Sequence, residues 1–296
     1  LIEELVITNL SGRGAVAMKK WDPDGYWLGP VDWGSVQVQH QTYRYVNQVG
    51  ESVTATILGS RGLSVNGWVM GGGTDTLQSR CDFLNSFFSP AEDYQLEYRG
   101  RLLTFRPDGP IQYGHSHKEN NRLLRKFLLQ ATAHYPLFTD KTAQTAPFDQ
   151  SGRLFRFPQS FGLAGPVVFG TADHSYSMEI VNAGGFQTGI TARFRFTGTV
   201  KDPAIANRTT GKLLRVLRTF QRGEQLEIVS QPGEKRMTLT TAKGVREDVL
   251  KSWDFSTSWV ELAPGRNLLA LECPDPDQRA NMTVTALYTP LYLEVE

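Results

Sequence analysis

The sequence predicts a mainly β protein, and three observations carry that prediction. First, apolar and polar residues alternate with period two. Val36 and Val38 stand against Gln37 and Gln39, Val53, Ala55 and Ile57 against Thr54 and Thr56, and Phe194 and Phe196 against Arg193 and Arg195. The pattern returns at Met237 and Leu239 against Thr238 and Thr240, and at Val284, Ala286 and Tyr288 against Thr283, Thr285 and Leu287. Successive strand side chains point to opposite faces, so these runs read as half-buried antiparallel strands. Second, 28 Gly and 15 Pro punctuate the runs at short intervals, as in sandwiches and barrels. Third, one segment alone carries a clear helical stripe.

That segment, "TDTLQSRCDFLNSFFSP", predicts a helix at about 75–89. Leu77, Cys81, Leu84 and Phe88 fall on one face, Thr74 is placed to cap, Asp75 suits the positive N-terminal end, and Pro90 stops it. Gly71, Gly72 and Gly73 precede it. They lack the lysine and spacing of a phosphate-binding loop and read as a steric turn. "YQLEYRGRLLTF" is a hairpin signal centred on Arg99 and Gly100. "NRLLRKFLLQATAHYP" fits both periods, and its extended Tyr135-Pro136 ending favours a strand. Between Thr139 and Gln150, "TDKTAQTAPFDQ" loses periodicity and reads as a linker. The expected organisation is an N-terminal domain over residues 1–140, a linker over 141–150 and a C-terminal domain over 151–296, all strand and turn. A chain of 296 residues suits about two domains.

Composition narrows the function. The chain is 40% hydrophobic and 21% charged, enough to bury cores, and 31 basic against 30 acidic residues give a formal charge of +1. A dedicated nucleic-acid binder needs a larger excess of cations, since each neutralised phosphate takes one. Cys81 and Cys273 stand far apart without CxxC spacing, so neither a zinc site nor a disulfide framework is indicated. No apolar run reaches the roughly 18 residues of a membrane span. The opening "LIEELVITNL" does not read as a signal peptide.

The search for chemistry finds no catalytic signature. His115 and His117 could share a strand face, but two ligands do not make a metal site, and His40, His134 and His174 are scattered. No G-x-S-x-G elbow is present. Glu224, Glu227, Glu234 and Asp254 are the acids that a β-fold glycosidase could use, and each reads equally as a solvated strand charge. No cofactor is indicated. Trp21, Tyr26, Trp27 and Trp33 crowd into "KKWDPDGYWLGPVDWG", which reads either as a self-packed loop or as an interface arm. Trp253 and Trp259 in "KSWDFSTSWVEL" could stack on a sugar ring or plug the core. In "PAIANRTTGKLLRVLRTFQRGEQLEI", Asn207 to Gly211 reads as a turn, "KLLRVLRTF" as a strand, Gln221 to Gly223 as a second turn and "EQLEI" as that strand's partner. Lys212, Arg215, Arg218 and Arg222 are spread out and offset by Glu224 and Glu227, so this stretch joins β-structure and is no phosphate track.

These elements resemble a known family. The order of strand, three glycines, amphipathic helix ending at Phe87-Phe88, "YQLEYRGRLLTF" hairpin and strand closing at Tyr135-Pro136 is similar to that of the distal tail proteins of long-tailed, non-contractile bacteriophages. "EIVNAGGFQTGITARFRFTGTVKDPAIANRTTGKLLRV", "GEQLEI" and "LAPGRNLLAL" resemble that family's Asn-x-Gly, Thr-Gly, Asn-Pro-like, Asn-x-Thr-Thr-Gly, Gly-Asp-x-Leu-x-Ile and Pro-Gly-x-Asn motifs. Glu224 stands where Asp is commoner and Asp202-Pro203 where Asn-Pro is frequent. The resemblance implies an N-terminal β-sandwich with one helix that forms a hexameric ring, and a C-terminal galectin-like β-sandwich displayed outside it. It implies a virion structural protein of the tail tip, assembled in the host cytoplasm. There it is a hub joining the tail tube protein to tail-tip and receptor-binding proteins, with a channel that DNA passes without specific binding. Neither enzyme activity nor membrane contact is implied. The galectin-like fold does not bring sugar binding, because the His-Asn-Pro-Arg signature is missing. A carbohydrate-binding module acting through Trp253 or Trp259 stays open as the alternative.

Overall fold

The computed structural model describes residues 4–22, 25–148 and 176–295. His174 and the opening of the expected C-terminal domain, residues 151–175, lie outside the described residues. Contacts divide the chain into two units, Leu1–Lys141 with Tyr292–Glu296, and Thr142–Leu291. The chain end from Tyr292, expected in the C-terminal domain, thus belongs with the first unit.

In the first unit the strands are β1 (Glu4–Asn9), β2 (Ala15–Lys19), β3 (Tyr26–Asp32), β4 (Val36–Tyr43) and β5 (Ser52–Met70). Helix α1 (Thr74–Phe87) follows, then β6 (Tyr94–Tyr98), β7 (Arg101–Pro107), β8 (Gln112–Tyr113), β9 (Leu124–Ala133) and β10 (Phe138–Asp140). They pair in the order β10-β7-β6-β1-β2-β3-β5-β9-β8. Strand β7 pairs with β6 and also, through Arg106 and Pro107, with Thr132 and Ala131 of β9, which closes the sheet on itself. The first unit is mainly β with one main helix, as expected, and its sandwich takes the form of a closed barrel-like sheet. Alternation cannot tell these apart, since both need one apolar face per strand, and closure removes free edges. Leu5, Met18, Val65, Leu96, Phe105 and Phe127 fill the interior.

The local signals act as chemistry requires. Arg99 (φ 49°) and Gly100 (φ 78°) both adopt left-handed backbone, the two-residue turn whose twist matches a hairpin. Helix α1 buries Leu77, Cys81, Leu84 and Phe87, and Phe88 closes it through its N–H on the Leu84 carbonyl. Thr74 does not cap. The N-cap position is Gly73, with extended backbone and no side-chain hydrogen bond. The glycine turn is steric at Gly71, where a Cβ would lie 2.8 Å from the Leu77 nitrogen. The period-two runs of β4 and of the first half of β5 depart from expectation. Residues 52–61 of β5 pair with β4, forming a two-stranded arm on which Val38, Val53 and Ile57 are exposed rather than half-buried.

The second unit contains β11 (Gln144–Pro147), β12 (Ser177–Asn182), β13 (Thr188–Phe196), β14 (Val200–Lys201), β15 (Ala204–Asn207), β16 (Lys212–Arg215), β17 (Thr219–Phe220) and β18 (Gln225–Val229). It continues with β19 (Arg236–Thr240), β20 (Arg246–Asp248), β21 (Glu261–Leu262), β22 (Gly265–Glu272) and β23 (Met282–Tyr288). A sheet in the order β11-β23-β13-β18-β19-β20, with β21 on β13, faces a second sheet, β12-β22-β15-β16, across one apolar core. The expected linker is partly structural, because β11 pairs with β23. "KLLRVLRTF" is not one strand. It breaks after Arg215, and its halves β16 and β17 enter different sheets. "EQLEI" pairs with β13 and β19 instead of with it. Asp202 takes φ 47°, which explains an Asx residue before Pro203, since short polar side chains tolerate left-handed backbone best. Asp202→Val should lower stability by about 1–2 kcal/mol, read by thermal denaturation, whereas Asp202→Asn should not.

The family-like motifs converge on one segment. Four successive carbonyls, those of Val260, Glu261, Leu262 and Ala263, each accept a hydrogen bond from a buried polar side chain. The donors are Ser230 Oγ (2.6 Å), Asn207 Nδ2 (2.8 Å), Asn182 Nδ2 (3.3 Å) and Asn267 Nδ2 (2.7 Å). Asn207 Oδ1 also accepts from the Thr209 and Thr210 N–H groups, and Asn182 Oδ1 from Gly184 N–H, so each asparagine closes its own turn. Buried backbone that leaves the ladder must find partners, and here side chains supply them.

Candidate interaction site

The crowded aromatics of "KKWDPDGYWLGPVDWG" are divided by the pleat of β3. Tyr26 turns toward α1, where its ring stacks on Phe83 at 6.5 Å and its hydroxyl donates to the Arg80 carbonyl. Burial pushes its phenol up to about 12, with Arg80 opposing and Cys81 adding to the rise. Below pH 10 both folded and unfolded states keep this proton. Between about 10 and 12 the unfolded chain loses it first, so stability should fall with pH there, and Tyr26→Phe should flatten that slope in alkaline melts.

Trp27 turns the other way. Trp21, held at φ 65° and 73% exposed, lies on it at 4.8 Å between ring centres, and Trp27 lies on Trp68 of β5 at 5.1 Å. Register makes this stack, since Trp27 and Trp68 are direct cross-strand partners. Trp33 sits apart, edge-on to Phe138 at 5.6 Å and tilted on Tyr98 at 5.2 Å. A cleft of about 330 Å³ is lined by Trp21, Trp27, Trp33, Trp68 and Tyr98. Of the four residues singled out in the sequence, three line it and Tyr26 does not. Sequence reasoning misses Trp68. Its signal is an aromatic out of phase with the buried Val65 and Val69, legible only once β3 is known to pair with β5. Gly29 makes room for Trp68, since a Cβ there would meet the indole at 2.7 Å and the Asn66 carbonyl at 2.9 Å. Gly29→Val should displace Trp68, shifting tryptophan fluorescence and destabilising the first unit by about 1–3 kcal/mol.

The arm is the second exposed apolar surface. Beyond β4, Tyr45 is 66%, Val46 92% and Val49 99% exposed, and Tyr43 and Tyr45 pack edge-on at 4.8 Å.

In the second unit Trp253 and Trp259 are partly buried against the core, 5.3 Å apart between ring centres. Trp253 Nε1 donates to Thr257 Oγ1, and Lys235 Nζ lies over the Trp259 ring. Phe255, exposed at 74%, stands against Trp253.

The remaining candidates are held by structural contacts. Glu227 pairs with Arg193 at 2.8 Å and with Arg236, which also reaches Glu234. Glu224 accepts from the Gln221 N–H across its turn. Asp254 accepts from Ser256 and faces Arg215, contacts that hold its carboxyl below the usual range. Lys212 pairs with Glu261, Arg215 with Asp254 and Arg218 with Glu247. Among the described residues no cluster of three or more His, Cys, Asp or Glu could hold a metal ion, and no helix is long and apolar enough to cross a membrane.

Residues 183–292 match the family described as siphovirus-type tail component, C-terminal domain. No curated protein matches the chain. Among solved structures, SPP1 Dit, described as a paradigm of the hub adsorption apparatus in Gram-positive infecting phages, is 16% identical. It shares the fold with a TM-score of 0.67 over 98% of this chain and 99% of that one. A chain of the phage P2 baseplate in its activated, calcium-bound conformation is 11% identical, with a TM-score of 0.50 over all of both chains. At these identities the likeness is one of fold. The family match thus lies within the second unit, over residues 183–292, and the likeness to SPP1 Dit extends the shared β-rich fold along nearly the whole chain.

Proposed function

We propose that this protein is a structural hub of a phage tail tip. First units assemble as a homohexameric ring around a channel that DNA passes without specific binding, joining the tail tube protein to tail-tip and receptor-binding proteins within the virion. The reading includes no catalysis, cofactor or membrane contact. One observation supports it most: the first unit carries two dissimilar apolar surfaces, the arm tip around Val46 and Val49 and the Trp21–Trp27–Trp68 cleft. Dissimilar complementary patches make head-to-tail contacts, which form a ring where the rotation between copies closes, whereas one self-complementary patch makes a pair. Trp and Tyr are favoured anchors at such contacts.

Light scattering across concentration, followed by negative-stain imaging, tests this directly. Rings of six with a central opening are expected. Val46→Asp with Val49→Asp, or Trp21→Ala, should weaken assembly at least about tenfold with little change in melting temperature. A compact monomer at all micromolar concentrations that also fails to assemble with tail partners would overturn the reading.

A second reading, glycan recognition by the second unit, is favoured by exposed Phe255 beside Trp253. Binding on a glycan array that disappears in Trp253→Ala and Trp259→Ala would support it, and array silence would remove it.

A further inference from the structure

The outward face of the larger sheet in the second unit carries a row unlike its surroundings. Register places Thr283 of β23, Arg195 of β13, Gln225 of β18, Thr240 of β19 and Arg246 of β20 side by side across five strands. Elsewhere in this unit Arg193, Arg208, Arg215, Arg236 and Arg266 are ion-paired. Arg195 and Arg246 are exposed, and neither side chain makes a hydrogen bond or an ion pair among the described residues. The row holds no carboxylate. Neighbouring strands lie about 4.8 Å apart, so the two guanidinium stems are anchored roughly 14 Å from each other, with an amide and a hydroxyl between them. The face forms a groove of about 690 Å³. Glu227 also lines it, already neutralised by Arg193 and Arg236. Among the described residues the one aromatic that lines it, Phe194, is buried in the core and offers no ring to a ligand.

We propose that this groove binds a phosphodiester-linked, hydroxyl-rich chain without bases. Guanidinium forks match phosphate oxygens in two-point hydrogen bonds, and Gln225, Thr240 and Thr283 offer donors and acceptors to hydroxyl-bearing spacers. Single-stranded nucleic acid needs stacking platforms, and neutral sugars are held against ring faces; among the described residues this face has neither. The inference rests on sheet register and charge, and stands whether or not the first units form a ring.

The test is fluorescence anisotropy of a labelled synthetic glycerol phosphate oligomer with the full chain at several salt concentrations. Binding that weakens with salt is expected. Arg195→Gln with Arg246→Gln should weaken it at least about tenfold, while Arg266→Gln, on the other sheet, should leave it unchanged. All variants should melt with the parent, since these side chains are exposed. No binding by the parent chain would overturn the proposal, as would an unaffected double variant. Equal affinity for an oligothymidylate or a polyglutamate of the same charge would also overturn it, showing mere polyanion attraction.

Discussion

Asn267→Ala is expected to destabilise the second unit by about 3–5 kcal/mol, a large effect for one turn residue. The reason is local. Asn267 is fully buried and makes four hydrogen bonds: Nδ2 donates to the Ala263 and Gly265 carbonyls, and Oδ1 accepts from Ala263 N–H and Asn207 Nδ2. Removing the amide strands the buried Asn207 Nδ2, takes three bonds from the half-buried Ala263 and the Gly265 turn, and leaves a cavity, and each group left buried and unpaired costs about 1–3 kcal/mol. Asn267→Asp sharpens the test, because it keeps the shape but turns the Nδ2 donor into an oxygen facing two carbonyls. It should be at least as damaging as alanine at neutral pH. The check is calorimetric melting of the full chain, following the transition assigned to the second unit. An Asn267→Asp protein that melts with the parent would sink the account of the four carbonyls.

That segment also shows how far the sequence was legible. Asn-x-Gly, Asn-x-Thr-Thr-Gly and Pro-Gly-x-Asn are visible as turns, and Gly211 (φ 71°) and Gly265 (φ 84°) sit where left-handed backbone is required. That three such turns cooperate on residues 260–263 was not visible, because their amides meet only after two sheets have stacked. The same limit explains Trp68 and the arm. Alternation in "VQVQ" and "VTATI" reports that a strand can bury one face; it cannot report that nothing covers it. The helix, the Arg99-Gly100 hairpin and β9 were legible because their signals are local: a stripe, a turn dipeptide and an extended ending. Barrel closure and the split of "KLLRVLRTF" were not, since each is decided by partners far away in sequence. For the candidate site, residue types sufficed to flag Trp21, Trp27 and Trp33, and only the pleat could set Tyr26 aside.

Deleting Tyr292–Glu296 should destabilise the first unit by about 3–5 kcal/mol, although these residues lie far in sequence from the barrel they join. Strand β24 (Leu291–Tyr292) pairs with β10, the Tyr292 hydroxyl reaches Asp140 at 3.4 Å, the Arg101 guanidinium lies over its ring, and Val295 enters the apolar core. The decisive partner is Arg61, only 2% exposed, which donates to the Leu293 and Trp33 carbonyls and lies over Phe138. Burial pulls its guanidinium below the ordinary range, and Glu294 pushes it back. The deletion therefore takes away both an acceptor and the Glu294 counter-charge, leaving a cation stranded in the barrel wall. Breaking one side of a buried charged contact is far costlier than replacing the contact as a whole with apolar atoms. A cycle of chemical denaturation on four proteins tests this: parent, deletion, Arg61→Met, and both changes together. The deletion should cost about 1–3 kcal/mol less in the Arg61→Met background than in the parent. Strict additivity would mean that the tail stabilises the unit by Tyr292 and Val295 packing alone, with no part for the buried guanidinium.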